Sequence, residues 1–367
     1  MEPFNIDVSR AELDDLRDRL RRTRLLPDSP GRPPSGMTEE YLCELVRSWA
    51  EFDWPARQDW LNRHPQFLAP IDGATIHFAH LRSERTDAPA LLVMHGWPHT
   101  FAMQLDYADL LPDFDVVVPS LPGFAFSSAY AAGGMSEERL ASTMHTLMTE
   151  VLGYDSYLTY GEDVTANVND LIAARHPEAV QGVLVTHAHF PTRAERERLL
   201  EPDAVAFFGA LSERQSSMGG YAHIQGTRPD TLAVGLNDSP AGLLAWLVEK
   251  FVEWSDTPAG DPRGVERRLS RDRLLTEAMI YWTTQTIGTS FRPYFDDMDA
   301  EIPPVTVPAS VHIQRHEHDY PESVAREFYR DLRTFERLEQ GGHFAIAEVP
   351  DDMARRTRSF AQELGLL

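Results

Sequence analysis

A chain of 367 residues, 42% hydrophobic and 25% charged, is long and apolar enough for one large domain with an inserted or appended piece. Its net charge of -23 opposes nucleic acid and anionic membrane as partners. No run approaches the ~18 uncharged apolar residues of a membrane span, no basic, apolar leader opens the chain, and the lone Cys43 excludes an internal disulfide, so the cytoplasm is the expected compartment.

Residues 1–70 read as a helical extension. Ser9 and Glu12 form a capping-box pattern ahead of Leu13, Leu16 and Leu20, which share a helical face. A proline-rich loop (Pro27, Pro30, Pro33, Pro34) leads to a second amphipathic stretch with Tyr41, Leu42, Leu45, Val46 and Trp49. Over residues 71–190 short apolar runs alternate with helical patterns. Ile76–Leu81 alternates, whereas Leu91–Met94, Val116–Val118, Tyr157–Tyr160 and Val183–Val185 are buried-strand runs, and strands separated by helices predict a mostly parallel sheet with covered faces. Residues 191–300 lose that alternation and look helical, with Ser239 as an N-cap and Pro240 in the first turn. Strand character returns near Val305, so a helical lid is expected between two parts of the core, 71–190 and 301–367. Such a lid excludes water and shapes a pocket.

Three motifs carry chemistry. Tyr160-Gly-Glu-Asp163-Val-Thr-Ala-Asn167 runs from a strand through a turn of small residues into a helix. Hydrolases hold their nucleophile on such an elbow, and no Gly-x-Ser-x-Gly occurs here, so Asp163 is the candidate nucleophile or else a helix cap. A carboxylate suits attack on sp³ carbon, because the resulting ester can later be hydrolysed at its own carbonyl. Val93-Met-His95-Gly96-Trp97-Pro98 ends a strand in a turn that can offer backbone N–H groups to an oxyanion. Trp97 and Val164 are the expected donors; His95, Gly96 and Pro98 are expected against the substrate, His95 in a structural and not a catalytic part. Gly341-Gly-His343 supplies a loop histidine late in the chain, in the order nucleophile, acid, histidine. A fourth cluster, His312, His316 and His318 with Glu317 and Asp319, would share one face of a continued strand and could hold zinc. It also lies where the triad acid should emerge, so neither metal nor cofactor is expected. His187 and His189 are read as structural.

These residues together resemble the epoxide hydrolases that carry an N-terminal helical extension, the microsomal and juvenile-hormone type. The likeness covers nearly the whole chain, through Pro3-Phe-Asn-Ile6, His95-Gly-Trp-Pro98, Pro119-Ser-Leu-Pro-Gly-Phe124 and Gly341-Gly-His-Phe-Ala345. In the lid it rests on Gly220-Tyr221-Ala-His-Ile-Gln225, Thr227-Arg-Pro-Asp-Thr231, Leu236-Asn-Asp-Ser-Pro240, Glu249-Lys-Phe251, Ile280–Ile287 and Arg292-Pro-Tyr294. The resemblance implies an α/β-hydrolase fold and conversion of an apolar epoxide, with water, to a vicinal diol. It also implies epoxide-activating tyrosines at Tyr221 and Tyr294, and an acid at Glu317 with Asp319 as the alternative. The chain differs from the family at the elbow, where Gly-Gly-Asp-Trp-Gly is usual and Gly161-Glu-Asp-Val-Thr165 stands. It differs also at Ala125, where glycine is usual, and at Gln314-Arg-His-Glu317, where Phe-Pro-x-acid is usual. A membrane anchor of the microsomal kind is not expected. Two other readings stay open: a haloalkane dehalogenase, which would want a tryptophan donor where Val164 stands, and a hydrolase-fold binder without turnover. The oligomeric state is also open, a homodimer included.

Overall fold

The computed structural model describes residues 1–32, 36–258, 260–296, 298 and 300–367. Among the described residues nine strands form one sheet: β1 (Glu2–Phe4), β2 (Gln66–Ile71), β3 (Ala74–Leu81), β4 (Ala90–Met94), β5 (Asp115–Pro119), β6 (Tyr157–Gly161), β7 (Val180–Val185), β8 (Val305–Ile313) and β9 (Tyr329–Arg337). Their order is β1-β2-β3-β5-β4-β6-β7-β8-β9. Pairs from β5 through β4 to β9 are parallel, whereas β1, β2 and β3 join antiparallel. Strands β4, β5 and β6 are buried at every residue, as apolar runs without alternation require when helices cover both faces. Phe101–Asp109, Ala166–Arg175 and Pro350–Glu363 are among those helices. The sheet and its covering helices form the α/β-hydrolase fold.

The N-terminal stretch is less purely helical than its sequence suggests. Residues Glu2–Phe4 and Gln66–Ile71 are strands, paired with each other in the register Pro3↔Phe67. A three-residue strand carries no readable periodicity, and its partner lies some sixty residues away. Between them the helix Arg10–Arg21 begins with the expected capping box: Ser9 Oγ accepts from the Glu12 N–H, and Glu12 Oε2 accepts from the Ser9 N–H. Leu13, Leu16 and Leu20 are buried. Of the proline-rich loop, Pro33 and Pro34 lie outside the described residues.

The segment between β7 and β8 is helical, including Pro202–Met218, Gly220–Thr227, Pro229–Asp238, Pro240–Trp254 and Arg271–Thr284. Ser239 caps Pro240–Trp254 by accepting from the Gly242 N–H at 3.1 Å. The N-terminal helices pack on these lid helices, Arg10–Arg21 and Glu39–Ala50 both touching Pro240–Trp254. Polar bonds tie the same surfaces: Tyr41 Oη donates to Glu266 Oε1 (3.0 Å) and Arg271 Nη1 to Ser48 Oγ (3.0 Å). The extension thus spans sheet edge and lid, which holds the lid over the carboxyl ends of the parallel strands. No helix among the described residues is long and apolar enough to cross a membrane.

Candidate active site

Each parallel strand from β4 outward delivers one group at its carboxyl end, the side where ligands collect in open α/β sheets. Strand β4 ends in His95-Gly-Trp97, β6 in Asp163, β7 in His187, β8 in Glu317 and β9 in the loop that carries His343.

Asp163 follows β6 with φ +52°, a left-handed conformation that a carboxylate residue tolerates better than a branched one. The turn continues as a single helical turn, Asp163–Thr165, and then as Ala166–Arg175. The elbow needs space on its far side. A Cβ on Gly96 would lie 2.4 Å from the Asp163 Cβ, so only glycine admits this approach. Asp163 Oδ1 accepts from the Trp97 N–H at 2.8 Å, and Oδ2 meets His343 Nε2 at 3.1 Å. The Val164 N–H also reaches the carboxylate. Burial works against the Asp163 charge, but the bond from His343 and the two backbone N–H groups outweigh it and hold the carboxyl below its ordinary value.

The His343 loop is fastened from below. His343 N–H donates to Trp254 O at 2.9 Å, and the neighbouring Gly342 passes so close that a Cβ there would lie 2.5 Å from the same oxygen. Glu348 accepts from the Gly342 N–H (3.1 Å), the Phe344 N–H (3.2 Å) and the Asp256 N–H (2.8 Å). His343 Nδ1 donates to Glu317 Oε2 at 2.9 Å. Burial disfavours the imidazolium, yet Asp163 on one nitrogen and Glu317 on the other raise its pKa to about 10. At neutral pH His343 is therefore charged and ion-paired with both carboxylates. Burial likewise opposes the Glu317 charge, and hydrogen bonds from His187 and His343 override it, holding that carboxyl well below the ordinary range.

The two acid candidates separate cleanly. The Asp319 side chain is 98% exposed and pairs with Arg337 at 3.4 Å, whereas that of Glu317 is 5% exposed and touches His343. The histidine face that could hold zinc does not form. Strand β8 stops at Ile313, so His312 is buried against Ser310 Oγ (2.9 Å) while His316 is exposed in the following turn. His187, Glu317 and His343 do bring one ligand atom each within 4.8 Å of one another, and each of those atoms is engaged in the hydrogen-bond network.

Two lid phenols converge above Trp97. The Tyr221 ring stacks on the Trp97 indole at 5.5 Å, Tyr294 meets the same indole edge-on at 5.8 Å, and the two phenol rings lie 5.7 Å apart. Burial raises both phenols above their ordinary pKa, and the Asp163 charge adds to it. They remain protonated donors at neutral pH. A cavity of about 440 Å³ opens between lid and sheet, reached by Asp163, Tyr221, Glu317 and His343 and walled by Phe207, Leu211, Met218 and Trp254.

His95, Gly96 and Pro98, expected against the substrate, do not line this cavity. His95 is fully buried behind the elbow, with Nδ1 on Gly96 O (2.8 Å) and Nε2 accepting from the Leu121 N–H (3.1 Å), so its ring shapes the turn. Glu162 also points away from the cavity. It is buried, bonded to His99 Nε2 (2.8 Å) and to the Tyr160 hydroxyl (2.6 Å), which offsets its charge next to Asp163. His187, read as structural from the sequence, lies against Asp163, His343 and Glu317, and Glu348 carries no expectation from the sequence. The signal for His187 was its place two residues beyond Val185 at the end of β7, the same offset as Asp163 beyond Gly161.

Known proteins agree with this architecture. Residues 1–103 match the family model described as the epoxide hydrolase N terminus, and residues 89–209 match that of the alpha/beta hydrolase fold. Epoxide hydrolase 1 of Sus scrofa is 32% identical over 414 residues, covering 100% of this chain and 89% of the relative. The crystal structure of juvenile hormone epoxide hydrolase from the silkworm Bombyx mori superposes with a TM-score of 0.87 at 30% identity, over 99% of this chain and 94% of that one. Aspergillus niger epoxide hydrolase gives 0.84 at 26% identity, over 99% and 96%. Since the full-length likeness extends from the N-terminal helices through the lid to the histidine loop, the chain belongs to the epoxide hydrolase family.

Proposed function

We propose that this epoxide hydrolase works through a covalent ester on Asp163, with His343 as the base of the water step and Glu317 as its acid partner. The observation that carries this is the Asp163 carboxylate itself, with Oδ1 held by the Trp97 N–H at 2.8 Å and Oδ2 by His343 at 3.1 Å. In the resting enzyme the pair is carboxylate and imidazolium. Asp163 attacks one ring carbon, the C–O bond opens, and Tyr221 and Tyr294 hydrogen-bond the departing oxygen, which would otherwise be a poor leaving group. Ester formation removes the Asp163 charge, so His343 loses the partner that kept it protonated; its proton balances the new hydroxyl of the substrate. Neutral His343 then takes a proton from water, and the hydroxide adds to the ester carbonyl. The Trp97 and Val164 N–H groups, already aimed at the carboxylate, hold the oxyanion. Collapse releases the diol and restores the carboxylate–imidazolium pair.

The apolar cavity walls favour an apolar epoxide, aromatic or alicyclic, with detoxification or secondary metabolism as the setting. With its free Cys43 the chain suits a reducing compartment, which is the basis for proposing the cytoplasm. The test is a single turnover in heavy-oxygen water with enzyme in excess. An ester mechanism sends an unlabelled carboxylate oxygen into the first diol and leaves the label in Asp163. Heavy oxygen in that first diol would mean direct attack by water and would remove Asp163 as nucleophile.

A further inference from the structure

Strand β7 lies between β6, which carries Asp163, and β8, which carries Glu317, and the loop after it puts a second histidine inside the site. His187 Nδ1 accepts from the Asp163 N–H at 3.4 Å. Its Nε2 lies 3.1 Å from His343 Nδ1 and 3.5 Å from Glu317 Oε2. These contacts fix the tautomer. Nδ1 receives a proton from the backbone, so Nε2 carries the ring proton; because His343 Nδ1 is itself a donor to Glu317, the 3.1 Å approach of the two rings sets donor beside donor, and Glu317 Oε2 at 3.5 Å is the acceptor left to the His187 N–H. Both imidazoles therefore aim an N–H at one carboxylate oxygen.

We infer that His187 is a positioning residue for the water step, dividing the charge of Glu317 with His343 and tethering that carboxylate to the main chain of the nucleophile. The inference rests on the ester reading above. It matters because His343 must lose its proton once the ester forms. With Asp163 neutralised, Glu317 is the remaining carboxylate that holds the imidazolium, against the burial that disfavours it. A second N–H on Glu317 weakens its hold on His343 and leaves the ring free to act as a base near neutral pH.

Other charged groups face this cluster. Arg214 of the lid helix Pro202–Met218 lies 3.6 Å from Glu317 Oε1, on the opposite oxygen. His318 lies 3.4 Å from the same Oε1; burial lowers its pKa to about 4, so it is neutral at working pH. Glu162 lies beneath the elbow, paired with His99, and the Tyr221 phenol stands across the cavity, protonated. None of these bonds Glu317 Oε2, where the two imidazole N–H groups meet.

The test compares His187→Leu, His187→Gln and His187→Asn in single-turnover kinetics with styrene oxide, following ester formation and ester hydrolysis separately across pH. A Gln amide can place an N–H where Nε2 stands; Asn reaches only the Nδ1 position. Losing one charge-assisted donor should move the midpoint of the hydrolysis profile upward by about one pH unit in the Leu and Asn variants. Below that midpoint their hydrolysis falls about tenfold, more than formation does, so ester accumulates. Gln should restore the midpoint. An unmoved midpoint in Leu and Asn, or an equal shift in all three, overturns the role of His187 while the ester mechanism stands. Absence of oxygen transfer from Asp163 in the unsubstituted enzyme overturns the mechanism and this inference together.

Discussion

Glu317→Gln is the substitution that tests the acid most sharply. The carboxylate accepts from His343 Nδ1 at 2.9 Å, and its side chain is 5% exposed, so water cannot replace it. Gln keeps the shape and removes the charge. A hydrogen bond to a charged group contributes about 1.5–3 kcal/mol, and each 1.36 kcal/mol is a factor of ten, so the bond is worth roughly 10- to 150-fold in rate when it forms only in the transition state. That condition holds for the water step, where His343 becomes imidazolium while Asp163 is an uncharged ester. In ester formation His343 begins as imidazolium, with the Asp163 carboxylate as a second partner, so the same substitution should cost far less there. Stopped-flow tryptophan fluorescence would resolve the steps, since Trp97 and Trp254 adjoin Asp163 and His343. The expected record is a rapid fluorescence change followed by slow recovery, with ester trapped on Asp163 and visible in the intact mass. Asp319→Asn, at a side chain 98% exposed, should leave both phases alone. Hydrolysis at the unsubstituted rate in Glu317→Gln, or slowing of both phases by one factor, would refute the assignment.

Three further outcomes follow from the geometry. Tyr221→Phe and Tyr294→Phe should each slow ester formation, and the pair together should nearly abolish it, given that one oxyanion-type donor is worth ~10²–10³ in rate; single-turnover rates with a reactive aryl epoxide measure this. Gly96→Ala would drive a methyl group into the Asp163 side chain and displace the nucleophile, so kcat should fall on the order of 10²-fold with little loss of folded protein by circular dichroism. Glu277, fully buried, has its carboxyl pushed up to about 7 by desolvation. A pKa raised in the folded state above the ordinary 4.5 gives stability that is complete below 4.5 and is lost as pH rises through 7. Melting temperature should therefore fall from about pH 5 to pH 8, and Glu277→Gln should flatten that slope.

Much of this protein is legible in one dimension because its signals are local. The strands β4, β5, β6 and β7 carry short apolar runs, the Ser9–Glu12 box and the Ser239–Pro240 start are patterns of two to four residues, and the Asp163 elbow, the His95–Trp97 turn and the Gly341–His343 loop sit in diagnostic order. The tyrosines depend on resemblance, since bare sequence makes a lid phenol a packing residue as readily as a donor. What the tertiary structure alone decides are matters of neighbourhood. Glu317 and Asp319 are two residues apart in chemically similar surroundings, and only the path of the chain after β8 turns one toward His343 and the other into solvent. Strand β8 ends at Ile313, so the alternation that would have aligned three histidines for a metal stops before two of them. Three-residue β1 finds its partner only across the intervening helices. His95 belongs to the turn and not to the cavity because its ring is consumed by two backbone bonds. His187 enters the site for a topological reason: the sheet order sets β7 between the strands of the nucleophile and the acid, an adjacency that no local pattern in the chain encodes.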